Sequence, residues 1–187
     1  MKLFFTTLLA LTTSVATTAV AQVPTPTPTP TAAPASLDQN FLVAAAQLNS
    51  GEILLSQNAS ENSSRFTVRN FATTMVQDHS RVAAQLSSLA QSEGVTLPAD
   101  PAPLYLVANE TLNSLEGRSF NRIYIEQMII DHQQTIRLFQ NEVRAGNDPE
   151  IKAFAQAQLP TLRRHLLRAL ALASRFVAAG GRTRNGR

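Results

Sequence analysis

The sequence predicts an all-α protein, four long helices packed as a bundle with a long connection between the second and the third. Three observations predict it. Apolar residues recur at steps of three and four over four long blocks, strand-like alternation is nearly absent, and helix stops and starts fall where the blocks meet. With 44% hydrophobic residues in 187, the chain has enough apolar material for a core.

The first block runs from about Leu37 to Ala59, with Phe41, Ala45, Leu48, Glu52, Leu55 and Ala59 along one stripe. The second runs from about Ser63 to Glu93 and carries Val68, Phe71, Met75, His79, Val82, Leu86 and Leu89 before the stop at Gly94. Pro98, Pro101 and Pro103 break the segment Val95–Arg118, which leaves room for a short helix over Leu104–Leu115. The third block, Ser119–Ala145, presents Ile125, Met128, His132, Ile136, Phe139 and Val143, and Gly146 ends it. The fourth opens with Asp148 as N-cap and Pro149 at the first helical position, and continues through Ile151, Phe154, Leu159, Leu162, His165, Ala169, Leu172 and Phe176. Pro160 should kink it, because proline lacks the amide donor and its ring crowds the preceding turn. Two helix pairs joined by a long crossover form the ferritin-like variant of the bundle; up-down-up-down packing with a decorated loop is the alternative.

The ends read differently. Lys2, the apolar run Leu3–Val20 and the small-residue site Ala19-Val20-Ala21 predict a signal peptide over residues 1–21. Residues 22–36 alternate Pro and Thr and form an extended spacer. The bundle then occupies residues 37–179, and 180–187 is a frayed basic tail. These features place the mature chain in the periplasm or outside the cell, with no transmembrane span. The absence of Cys excludes disulfides, thiolate metal sites, a lipid-anchored cleavage point and a Cys nucleophile. The formal charge of +3 belongs to the ends: without Lys2, Arg182, Arg184 and Arg187, 12 basic residues face 13 acidic ones. The domain therefore offers no general attraction for nucleic acid.

Two helices echo each other. Phe71, Met75, Asp78 and His79 recur 53 positions later as Tyr124, Met128, Asp131 and His132. All three histidines of the chain, His79, His132 and His165, fall on core-facing stripes near the middle of three different blocks, and Glu52 takes an apolar position on the remaining one. One polar group per helix at one level predicts a metal centre formed by Glu52, His79, His132 and His165, since a buried carboxylate needs partners or an ion. Imidazole and carboxylate suit a divalent or copper ion. Met75 and Met128, one turn before two of the histidines, are possible additional thioether ligands, and Asp78 and Asp131 are placed to orient a histidine of a neighbouring helix. The alternative is a metal-free polar layer that only fixes packing. Arg163, Arg164 and Arg168 read as a solvated face, and Glu142 as an exposed helix charge. There is no Gly-rich phosphate loop and no serine in a nucleophile-elbow context.

The ordered motifs Gly-Glu52-Ile-Leu-Leu, Phe71-Ala-x-x-Met-Val-x-Asp-His79, Phe120…Tyr124-Ile-x-x-Met-x-x-Asp-His132 and Asp148-Pro149…Leu159-Pro160-x-Leu-x-x-His165 resemble the bacterial domain-of-unknown-function family 4142 over Asp38–Leu172. The resemblance implies a ferritin-like bundle, exported and often assigned to the outer membrane, and no established activity. The Glu-x-x-His pairs of iron-handling ferritins are missing, which favours a mononuclear centre over a di-iron or dimanganese one. The reading is thus a metal-binding, non-catalytic envelope protein in metal handling or stress, whose partner is another envelope component or a second copy. A structural or interaction module is the alternative, and a ferritin-like redox enzyme ranks last.

Overall fold

The computed structural model describes residues 36–182, with side chains to residue 176. The expected signal peptide, the spacer up to residue 35 and the last five residues of the tail lie outside them. The described residues form five helices and no strand: α1 Leu37–Asn62, α2 Phe66–Ser92, α3 Pro103–Asn113, α4 Gly117–Ala145 and α5 Pro149–Arg182.

Local chemistry sets the boundaries. Ser36 opens α1 with a capping box, its hydroxyl accepting from the Gln39 amide at 3.1 Å while the Gln39 side chain accepts from the Ser36 amide at 3.0 Å. At the end of α2, Gly94 takes φ 64°. Its amide donates to Gln91 O and the Val95 amide to Ala90 O, the paired bonds of a Schellman stop. Asp148 caps α5 as expected, accepting from the amides of Glu150 and Ile151 at 2.9 and 2.8 Å. The short helix in the connection is present as α3, with Pro103 in its first turn. α5 continues as one helix through Pro160, which sits on its exposed side, where water can serve the carbonyl left without a donor. It also runs past residue 179, the expected domain end, to Arg182.

α1 packs most extensively on α2, and α4 on α5. α1 also lies against α4 and α2 against α5, while α3 rests on α1 and α4. The apolar side chains form two clusters. One contains Leu55, Phe71, Met75, Tyr124, Met128 and Phe176. The other contains Phe41, Leu86, Phe139, Ile151 and Leu162. Burying each such side chain contributes roughly 1.5–3 kcal/mol. Among the fully buried side chains, the switch from one cluster to the other on all four long helices spans a polar residue: Glu52 on α1, His79 on α2, His132 on α4 and His165 on α5.

Candidate metal centre

All four of these side chains are essentially removed from solvent, with His79 the most exposed at 3%. The three imidazole centroids stand 5.6, 5.7 and 5.3 Å apart. One ring nitrogen can be chosen from each so that all three lie within 4.8 Å of one another.

One nitrogen of each ring is held by an acceptor. His79 Nδ1 donates to the Asn49 side-chain oxygen at 2.8 Å, and the Asn49 amide donates back to the His79 carbonyl at 2.9 Å. His132 Nδ1 donates to the Met128 carbonyl one turn earlier at 2.9 Å. His165 Nε2 donates to Asp78 Oδ2 at 2.8 Å. These acceptors assign the tautomers. The remaining nitrogens, His79 Nε2, His132 Nε2 and His165 Nδ1, are buried and lack a hydrogen-bond partner. Each ring in the layer thus keeps one bare, buried lone pair, backed by an acceptor on the far side of the ring, the support expected of metal-bound histidines.

Glu52 completes the layer. Its Oε2 is 3.3 Å from His79 Nε2 and 3.1 Å from His132 Nδ1, and its Oε1 accepts from Thr135 at 3.4 Å. Burial drives the histidines away from the charged form. His79 falls well below its usual 6.5, and His132 to about 3. His165 is lowered too, mainly by burial, with the Asp78 contact acting in the other direction. Burial, then the Asp131 charge, pushes Glu52 well above 4.5. At neutral pH the rings are therefore uncharged with lone pairs available, and removing them from water without a partner is costly. Nitrogen–metal bonds of about 2.1 Å in tetrahedral geometry need nitrogens about 3.4 Å apart, a small inward adjustment of these side chains. The donor set fits a single divalent ion.

The other expected residues are placed differently. Met75 and Met128 lie in the Leu55–Tyr124 cluster, and the Met128 sulfur accepts from Ser56 at 3.8 Å. Met128 supports the layer through its carbonyl. Asp78 holds His165 Nε2 by the hydrogen bond given above and also pairs with Arg81 at 3.1 Å. Asp131 meets no histidine. It accepts from Gln127 at 2.9 Å and faces the buried Tyr105 phenol, and burial lifts it to about 6. Arg163 and Arg164 are exposed, but Arg168 is half-buried, its guanidinium 5.6 Å from the Phe71 ring centroid.

Glu142 corrects the sequence reading. It is fully buried, not exposed, and sits beside Asp38. It continues the core-facing series Thr135, Phe139, Glu142, and Gly146, lacking a Cβ, leaves space for its carboxyl. Burial and Asp38 raise Glu142 to about 7. Burial also opposes ionisation of Asp38, but amides of Asp148 and Asn147 outweigh it, and Asp38 is lowered.

Sequence reasoning missed Asn49, Thr135 and Tyr105. Asn49 and Thr135 lie three residues from Glu52 and His132 on the same helix faces, so helical spacing could have found them. Tyr105 arrives from α3, with its ring over Gly51.

The family described as "Domain of unknown function (DUF4142)" matches residues 23–172. The chain belongs to this family. The match begins inside the Pro/Thr segment, ahead of the motifs that first suggested it. No curated protein is similar to this DUF4142 chain. Two crystal structures share its all-helical fold. One, from Streptomyces coelicolor and described as a putative secreted protein DUF305, aligns with TM-score 0.66 and 13% identity, over 75% of this chain and 92% of its own. The other, a DUF305 fragment from Deinococcus radiodurans, aligns with TM-score 0.68 and 17% identity, over 75% and 97%. No described helix of the DUF4142 chain is long and apolar enough to cross a membrane.

Proposed function

We propose that this DUF4142 protein is an exported, ferritin-like four-helix bundle that binds one metal ion through His79, His132 and His165, with Glu52 as the carboxylate of the centre. It serves metal handling or stress protection in the cell envelope and is not an enzyme. The observation that carries this reading is the set of three buried imidazole nitrogens without partners, each opposite a nitrogen already held by an acceptor. The pairing of α1 with α2 and of α4 with α5, across a connection that contains α3, supports the ferritin-like arrangement. Residues 1–21 direct export, residues 22–36 space the domain from its surroundings, and the partner, if any, is an envelope component or a second copy.

A second reading has one observation in its favour. A Glu52 that keeps its proton can donate it from Oε2 to the bare His79 Nε2, 3.3 Å away, and the layer would then fix packing without an ion. Elemental analysis separates the two. Mature protein purified without a His tag from metal-supplemented periplasm should carry near-stoichiometric metal, and folded His132→Ala should carry none. Metal-free wild type, with no thermal shift on adding zinc, copper, iron or manganese, would sink the metal reading.

A further inference from the structure

We infer that the bundle carries a second binding site, for a neutral mono- or disaccharide, in a cleft between the α1–α2 turn, α3 and the start of α4. The cleft lies at the end of α1 remote from Ser36 and stands apart from the metal reading.

Its volume is about 420 Å³. Small-molecule sites range over roughly 300–1,000 Å³. Asn62 and Ser64 line it on one side, Asn113 of α3 and Glu116 on another, and Leu112 and Phe120 supply apolar surface. Its carboxamides are held in place by one buried neighbour. The Asn58 side chain donates to Asn109 Oδ1 at 2.8 Å and to Asn113 Oδ1 at 2.7 Å, and accepts from Asn62 at 2.9 Å. That leaves the Asn113 amide hydrogens and the Asn62 carbonyl without a protein partner among the described residues. Turning all four carboxamides together keeps the network and exchanges the roles, so the cleft offers a donor and an acceptor in either orientation. Ser64 accepts from Asn121 at 3.0 Å, which leaves its own hydrogen to donate. The Glu116 carboxylate adds an acceptor with no described partner.

This lining selects the ligand by chemistry. No lysine or arginine lines the cleft, and the adjacent Arg118 is turned to the Phe176 carbonyl at 2.6 Å. A phosphate or carboxylate would therefore meet Glu116 without a compensating cation. A cationic ligand would find one exposed carboxylate and no open aromatic face, because the Phe120 ring is buried. Sugar hydroxyls both donate and accept, so neighbouring hydroxyls match a fixed carboxamide donor and acceptor together. The C–H face of the ring suits the apolar side. Since Asn58 has already ordered its neighbours, binding forfeits little of their side-chain freedom.

An NMR titration of the isotope-labelled full mature chain tests this, with N,N′-diacetylchitobiose and maltose as probes. At least one of the two should shift the amide resonances of Asn62, Ser64, Asn113 and Gly117 saturably at millimolar concentration, and inorganic phosphate should leave them in place. Asn62→Ala and Asn113→Ala, both at exposed positions, should each weaken binding about tenfold, the loss of roughly one hydrogen bond, with helical circular dichroism unchanged. No saturable shift with either sugar overturns the site. Shifts that do not converge on these four residues, or affinity unchanged in both folded variants, overturn it as well. Saturable binding of phosphate in the cleft overturns the ligand class. The wild-type titration needs no variant, so misfolding does not shelter the proposal. Its readout lies away from the histidine layer, so its failure leaves the metal reading standing.

Discussion

Asp78-His79 on α2 and Asp131-His132 on α4 are the same dipeptide in echoing segments, yet their surroundings divide the work differently. On α2, the histidine is clamped by a side chain of another helix, Asn49, and the aspartate reaches across to hold His165. On α4, the histidine is held by its own helix, through the Met128 carbonyl, and the aspartate turns to Gln127 and Tyr105. The repeat therefore supplies matching histidines but not matching support. Helix geometry fixes where a residue faces, whereas the neighbouring helix decides what it meets.

The strongest way to break this comparison is to neutralise the aspartates one at a time. Asp78→Ala removes the acceptor that sets the His165 tautomer, and metal affinity measured by competition with a chromophoric chelator should fall about 10- to 100-fold. Asp131→Asn should leave affinity nearly unchanged. Equal losses would mean that the two aspartates play the same part after all.

A smaller effect is expected from Gly51→Ala. A Cβ at residue 51 would overlap the Tyr105 ring, which has to shift away from the Asp131 side. Overpacking of this kind costs about 1–3 kcal/mol, readable in urea denaturation. Metal affinity should change little, because the Asp78 side is untouched. A large loss of affinity would show that Tyr105 supports the centre directly.

The smallest effects are pH-dependent, and they set the histidine layer against the Asp38–Glu142 pair. The histidines have lowered pKa values in the fold, so the unfolded chain binds more protons below its usual 6.5. The stability of the metal-free domain from this layer is therefore full above that value and declines as pH falls towards the His132 value of about 3. A bound metal should be released over the acid side of the same range. Glu142 behaves oppositely. Its folded value of about 7 exceeds 4.5, so its contribution is full below 4.5 and is lost as pH rises to about 7. Glu142→Gln should melt higher than wild type at pH 8 by a few degrees, at about 2–4 °C per kcal/mol, and show no gain at pH 4.5. An identical gain at both pH values would remove titration of Glu142 as the cause.

How much of this was legible in the sequence depended on the kind of signal. Periodicity and capping residues reported the four long helices and their stops, because Gly94 and Asp148 act through local backbone chemistry. The convergence of His79, His132 and His165 with Glu52 was also readable, since each is fixed by its own helical stripe. Glu142 was misread because a helix glutamate is usually solvated; only its spacing from Phe139 pointed inward. Asn49 followed the same logic and was overlooked. The Tyr105 contact had no local signal, because α3 is positioned by tertiary packing.

The four polar side chains of the layer come from two sequence-local hairpins. Glu52 and His79 belong to α1 and α2, joined by a three-residue turn, and His132 and His165 to α4 and α5, joined by another. An ion coordinated at this level would act as a cross-link between separately closable halves. It would stabilise the folded state in proportion to the logarithm of its free concentration over its dissociation constant. Amide hydrogen exchange would then slow most along α2 and α5, where the halves meet most thinly, and the chain would gain the long-range constraint that a cysteine-free sequence cannot obtain from a disulfide.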